Sequence, residues 1–309
     1  MRTTVVFALF SGLIASPAMA ADEAQCQKVR MADLGWTDIA LTNTTAEVIL
    51  DALGYDASQT LLGLGVAYSA LRENDMDVFL GNWRPVQDEE YKSYFDEGSV
   101  EVLGVNLEGA KYTLVVPQYV ADQGVKSFDD LAAHADKFGR KIYGIEAGSN
   151  KPLLDMVAAN RHGLGDWQIV ESSEAAMLTQ VSNSVADKSW VVFLGWEPHP
   201  MNLDYKITYL SGGDVEFGPN FGGATVRTIG RKGFSAECPN AAKLFANLAF
   251  DLTYENYGMR MILGEEKSAD EAAREMIKRN PDKLAKWLDG VSTLDGQPGL
   301  PVVKSALGL

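Results

Sequence analysis

VRMADLGW (residues 29–36), DVFLGNW (77–83) and VVFLGW (191–196) share one pattern: a short apolar run, a glycine, and a tryptophan that closes it. Each run has the length and apolar content of a buried strand. In an open α/β sheet the carboxyl ends of the strands border the ligand crevice, and a glycine there lets the backbone turn so that the next side chain points into it. Trp36, Trp83 and Trp196 are therefore expected on the wall of one cleft. Several aromatic faces around one space suit a quaternary ammonium ion, which has no N–H to donate and binds through cation–π attraction and apolar contact.

Strands and helices alternate around these runs. Strands are expected over 28–34, 59–64, 77–80, 101–106 and 112–116, the last stopped by Pro117. Between them the sequence predicts a helix over 46–53, capped by Thr42-Asn43-Thr44-Thr45 and ended by Gly54, a second over 66–72, and a third opened by Pro85 that carries Tyr91 and Phe95. The pattern restarts with helix 128–134, strand 141–146, helix 152–160, strand 168–170, helix 174–181 and strand 190–194. Strands 206–210 and 224–230 follow, then helices 241–254, 269–279 and 281–288, while the glycine-rich 218–223 reads as a turn. Such alternation predicts an α/β fold with mainly parallel sheets and helices on both faces. Trp167, Trp190 and Trp287 lack the strand-end setting and read as packing residues.

Composition narrows the function. Residues 1–20 have the plan of a signal peptide: Arg2, an apolar stretch over 5–14, and Ala18-Met19-Ala20 as a cleavage site. The mature chain is expected to start at Ala21 and to be exported without inserting into the membrane, since no other stretch approaches the ~20 apolar residues of a span. Loss of Arg2 moves the formal charge from −15 to about −16. So acidic a chain argues against nucleic acid, whose phosphates need a basic footprint. It is compatible with a cationic ligand, and equally serves solubility. Export makes a single Cys26–Cys238 disulfide the expectation, with two unpaired buried thiols as the alternative. A bridge would place both ends of the chain in one lobe. The expected organisation is then 21–111 in lobe one, 112–210 in lobe two, and 211–309 back in lobe one, with the ligand held between them.

Enzyme signatures are absent: the sequence contains no H-E-x-x-H, G-x-S-x-G or G-x-x-x-x-G-K-[ST]. Gly63-Leu64-Gly65-Val66-Ala67-Tyr68 begins like a dinucleotide fingerprint but has Tyr68 at the third glycine, so a strand-to-helix turn explains it as well. His134, His162 and His199 lack the spacing of a metal pair, although Glu197 with His199 remains a candidate for half a site. Asp38, two residues beyond Trp36, would add charge and accept a hydrogen bond, which favours a cation bearing a hydroxyl over a betaine whose own carboxylate it would repel. Asn150, in Gly148-Ser149-Asn150-Lys151-Pro152, reads either as a partner for that hydroxyl or as a helix cap.

Leu34-Gly35-Trp36-Thr37-Asp38, Gly81-Asn82-Trp83, Gly109-Ala110-Lys111-Tyr112, Gly144-Ile145-Glu146-Ala147-Gly148-Ser149-Asn150 and Gly195-Trp196-Glu197-Pro198-His199 are the parts of a resemblance that spans the mature chain. The chain resembles the substrate-binding proteins of ABC transporters for glycine betaine and choline. That resemblance implies a two-lobe clamp of the type II periplasmic-binding-protein class. It further implies that Trp36, Trp83, Tyr112 and Trp196 enclose a trimethylammonium group, that Asp38 and Asn150 take a choline hydroxyl, and that Cys26 and Cys238 are bridged. The expected protein is a monomeric periplasmic receptor, without cofactor or metal. It would bind choline, with acetylcholine as a weaker second ligand, and pass choline to a membrane ABC permease. The rival within the family is a glycine betaine or proline betaine receptor, and the rival from another class is a secreted hydrolase of choline esters.

Overall fold

The computed structural model describes residues 22–309, so the expected signal peptide lies outside the described residues. Nine strands are present: β1 Lys28–Asp33, β2 Asp56–Leu61, β3 Val78–Arg84, β4 Val100–Pro117, β5 Lys141–Tyr143, β6 Gln168–Val170, β7 Phe193–Glu197, β8 Ile207–Tyr209 and β9 Gly223–Arg231. They run in the order β2-β1-β3-β9-β4-β7-β5-β6, with β8 paired to β4. The expected parallel pairing holds within each half of the sheet, for β1 with β2 and β3 and for β5 with β6 and β7. It fails at the junction, where β9 is antiparallel to β3 and β4, and β4 is antiparallel to β7 and β8. A strand that carries the chain from one half to the other must be answered by one that brings it back, and the two lie head to tail.

The crossing itself is β4. Two strands were expected, 101–106 and 112–116; one 18-residue strand passes through both. Glu108-Gly109 interrupts the alternation because the strand bulges there, with register shifts against β9 between Leu107 and Ala110. At Lys111–Tyr112 the strand changes partners, from β9 on one side to β7 on the other. Gly222 seals the return: at φ +68° it packs so closely that a Cβ there would lie 1.9 Å from the Tyr112 carbonyl oxygen.

The first long helix starts at Thr37 instead of residue 46 and runs to Ala52. Its Thr and Asn cluster is interior, not a cap. The Thr45 hydroxyl donates to the Leu41 carbonyl at 2.8 Å and the Asn43 amide nitrogen to the Ala32 carbonyl at 3.0 Å, so these donors find acceptors on a helix buried nearly all round. That burial comes from the carboxy-terminal helices. The expected helix 241–254 is two, Pro239–Asn247 and Leu252–Leu263, the second capped by Asp251, whose carboxylate accepts the Tyr254 N–H at 2.8 Å. Ala269–Arg279 and Pro281–Trp287 follow as read, and Gly299–Leu307 adds a helix the sequence reading missed. Pro85 opens turns before a short helix, Lys92–Asp96, and 128–134 is a pair of 3-10 turns.

Cys26 and Cys238 are bridged across 212 residues, with Cα atoms 5.6 Å apart and both side chains buried. Beside them Asp22 accepts the N–H groups of Asn240 and Ala241 at 2.7 and 2.9 Å, capping the helix that follows Cys238. Closing a loop this long removes much denatured-state entropy. Cys26→Ser/Cys238→Ser is expected to lose about 3–5 kcal/mol in urea unfolding, and reduction of the parent protein should reproduce that loss.

Candidate functional site

The three signature glycines work in two ways. Gly35 turns the chain at φ +76°. Gly81 and Gly195 instead make room within their strands: a Cβ would lie 2.4 Å from Ile39 Cδ1 at the first and 2.6 Å from Val115 Cγ1 at the second. All three deliver their tryptophans to one cleft. Trp36 precedes the first long helix, Trp83 ends β3, and Trp196 in β7 is the cross-strand partner of Tyr112 in β4. A cleft of about 540 Å³, open mouth included, is walled by Trp36, Asp38, Trp83, Tyr112 and Trp196 together with Leu64, Gln87, Glu90, Tyr91, Ile145 and Ser149. The four aromatic walls are 5–9 % exposed, and the rings of Trp83 and Tyr112 stand 6.3 Å apart at 53°.

Each wall is held from behind. The Trp36 indole N–H donates to Glu146 Oε1 at 2.7 Å, and Ser149 also donates to that oxygen. The Tyr112 hydroxyl donates to the Ser149 carbonyl at 3.1 Å, while Phe217 packs edge-on against its ring at 5.5 Å. The Asn202 amide donates to the Trp196 carbonyl at 2.7 Å, and His199 stands T-shaped to the Trp196 ring at 4.9 Å. Trp167, Trp190 and Trp287 lie elsewhere, packed on Phe138, on Phe138, and on Phe250 and Tyr254 respectively.

Asp38 on the cleft wall is backed by further acidic side chains. Asp38 is 6 % exposed in the first turn of its helix; burial and the Glu174 charge push its carboxyl up to about 7, against backbone N–H groups and a hydrogen bond from Trp83 that favour the anion. Burial also raises Glu146, with Glu174 adding to it. Glu174 goes the other way: burial opposes its charge, yet His199 and Thr37 together hold it below the usual carboxylate range. Behind the helix, burial and the charges of Asp38 and Asp251 push Glu255 well above that range. A cavity so arranged lowers the free energy of a cation and raises that of a carboxylate.

Asn150 does not line this cleft, and it caps nothing with its side chain. Its amide oxygen accepts the Ile145 N–H at 2.9 Å, and its nitrogen donates to the carbonyls of Ile145 and Glu146 and to Glu171 Oε2 at 2.7, 3.0 and 3.0 Å. The cap reading of Asn150 is thereby corrected: here its side chain pins the 145–150 loop, and Ser149 lines the wall. Asn150→Ala is expected to cost about 2–4 kcal/mol of stability and to weaken choline and tetramethylammonium by the same factor in titration calorimetry.

Glu197 and His199 also part company. Glu197 pairs with Lys111 at 3.3 Å, whereas His199 Nε2 faces Glu174 Oε1 at 3.2 Å. Among the described residues no group of three His, Cys, Asp or Glu side chains could hold a metal ion. Glu146, Glu174 and Thr37, which bond and charge the cleft from behind its wall, are not singled out by the sequence. Glu146 sat within a quoted motif without a role, and nothing local marks Glu174, which lies far along the chain from the helix it meets.

Two α/β halves joined by a crossing strand over a buried aromatic and acidic cleft define a type II solute-binding protein. The chain belongs to the family described as the substrate-binding domain of ABC-type glycine betaine transport systems, whose model matches residues 27–279. This is a family of transport proteins, not of enzymes. A solved ABC-transporter choline-binding protein in complex with choline is 48 % identical, covering 93 % of this chain and 100 % of its own, with a TM-score of 0.91. The same description in an unliganded semi-closed conformation gives 0.84 at 48 % identity, over 92 % of this chain and 100 % of that one. The glycine betaine/carnitine transport binding protein GbuC of Listeria monocytogenes is 35 % identical over 158 residues, 50 % of this chain and 51 % of GbuC. Among the described residues no helix is long and apolar enough to cross a membrane.

Proposed function

We propose that this protein is a periplasmic receptor that binds choline between its lobes and delivers it to a membrane ABC permease. The observation that carries this reading is the pairing of four aromatic walls with the Asp38 carboxylate in a cleft whose wall bears no arginine. Lysine 151 is the one cation on that wall, and its ammonium is engaged by Asp155 at 2.7 Å. A trimethylammonium group gains roughly 0.5–2 kcal/mol from each desolvated aromatic face. At the upper end of that range, four faces and a charge-assisted hydrogen bond from the choline hydroxyl to Asp38 reach the roughly −8 kcal/mol of a micromolar receptor. A betaine would carry its carboxylate toward Asp38.

The lobes in this reading are 22–111 with 211–309, and 112–210, which the change of partners along β4 at Lys111–Tyr112 supports. Trp36, Asp38 and Trp83 then come from one lobe and Trp196 from the other, with Tyr112 at the crossing. Only a ligand that touches both sides stabilises the closed state. Titration calorimetry with choline, acetylcholine and glycine betaine tests the assignment. Choline is expected to bind tightest and excess acetylcholine to displace it; a clear preference for glycine betaine would replace choline with the betaine as ligand.

A further inference from the structure

Two helices begin beside each other, and a carboxylate from the first turn of one caps the start of the other. Glu174 is the first residue of the helix Glu174–Asp187, and Thr37 the first residue of the helix Thr37–Ala52. Glu174 Oε2 accepts the Thr37 N–H at 3.1 Å, and Oε1 accepts the Thr37 hydroxyl at 2.5 Å. His199 completes the set. Its Nδ1 accepts the Met201 N–H at 3.0 Å, so the ring hydrogen is on Nε2, which points at Glu174 Oε1 at 3.2 Å. Glu174, Thr37 and His199 are 4, 8 and 1 % exposed, and none of them lines the ligand cleft.

These bonds join the two lobes without help from a ligand. On opening, Thr37 exchanges its bonds for water, whereas Glu174 keeps His199, a neighbour from its own lobe. The carboxylate is therefore oriented in advance, and little side-chain entropy is lost when Thr37 arrives. The overall shape fits the closed form, since this chain superposes more closely on the choline-bound relative than on the semi-closed one. Closing also brings the Glu174 charge toward Asp38 and Glu146, whose carboxyls it raises, and a cation held beside Asp38 offsets that repulsion.

We propose that Glu174 is a closure-positioning residue: oriented by His199 on one lobe, it captures the N–H and hydroxyl of Thr37 on the other and so slows release of a ligand it does not touch. The proposal rests on the receptor reading above, and the test separates the two. Wild-type protein is first titrated with choline and with glycine betaine, which decides the ligand. Release of whichever binds is then followed by stopped-flow tryptophan fluorescence in Thr37→Val, Thr37→Ser, Glu174→Gln and the Thr37→Val/Glu174→Gln double variant.

Loss of charge-assisted bonds of this kind is expected to raise koff by ~10- to 100-fold in Thr37→Val and Glu174→Gln, with kon within ~3-fold of wild type. Thr37→Ser, which keeps the hydroxyl, should restore slow release, and the double variant should release no faster than Glu174→Gln alone. Unchanged koff in Thr37→Val, or independent multiplication of the two effects, overturns the proposal. Should Glu174→Gln fail to fold, the Thr37→Val and Thr37→Ser pair still decides it.

Discussion

Asp38→Asn is expected to bind choline ~100- to 1,000-fold more weakly than the parent protein at pH 8, the cost of removing one partner of a buried, hydrogen-bonded charge pair. The substitution keeps the shape of the side chain and removes its charge in a site with little water to compensate. Tetramethylammonium, which lacks the hydroxyl, loses only the Coulombic part and should weaken by ~10-fold. Equal losses for the two ligands would mean that Asp38 acts through charge alone. The same carboxyl sets the pH dependence. Burial and Glu174 raise it to about 7 in the free protein, and a bound cation favours the anion. Below that pH, choline must expel a proton, so its association constant should fall by about tenfold per pH unit as pH drops, and be level above it. Glu146, also raised, acts in the same direction. In Asp38→Asn the profile should flatten; calorimetry between pH 5 and 8.5 in buffers of differing ionisation heat measures both the slope and the proton released.

Trp83 carries the second large effect. Its indole is 5 % exposed and stands against Tyr112. Trp83→Ala opens the cage and is expected to lower choline affinity by ~100-fold or more, as for large-to-small changes at buried aromatic anchors. Trp83→Leu keeps apolar bulk without a π face, and Trp83→Phe keeps a face without the N–H. If the cation is held by ring quadrupoles, Phe should lose less than ~10-fold and Leu several times more. Equal losses in Phe and Leu would leave only apolar packing, and the cation–π account would fall.

Strand-end tryptophans were legible because three features coincide within a few residues: an apolar run, a small residue and an indole. Tyr112 was harder, and its role follows from β4 changing partners beside it, a fact about pairing across the sheet. Asn150 invites the cap reading because a polar residue before a proline-bearing helix has the composition of a cap. Its four hydrogen bonds depend on how the 145–150 loop folds back and on Glu171 from the next strand's end. The first long helix was begun too late for a related reason. Thr42 to Thr45 favour caps locally, and only burial beneath the carboxy-terminal helices keeps them helical.

From the sequence alone came the alternation of strands and helices, the paired cysteines, and the set of aromatic side chains suited to a quaternary cation, since each depends on residue type and short spacing. Tertiary structure decided which carboxylates share the cleft, which loop residue forms its wall, and that Glu174 meets Thr37 across 137 residues. Electrostatics and hydrogen bonding act through space, and groups far apart in sequence acquire their charges and partners only once the sheet has assembled.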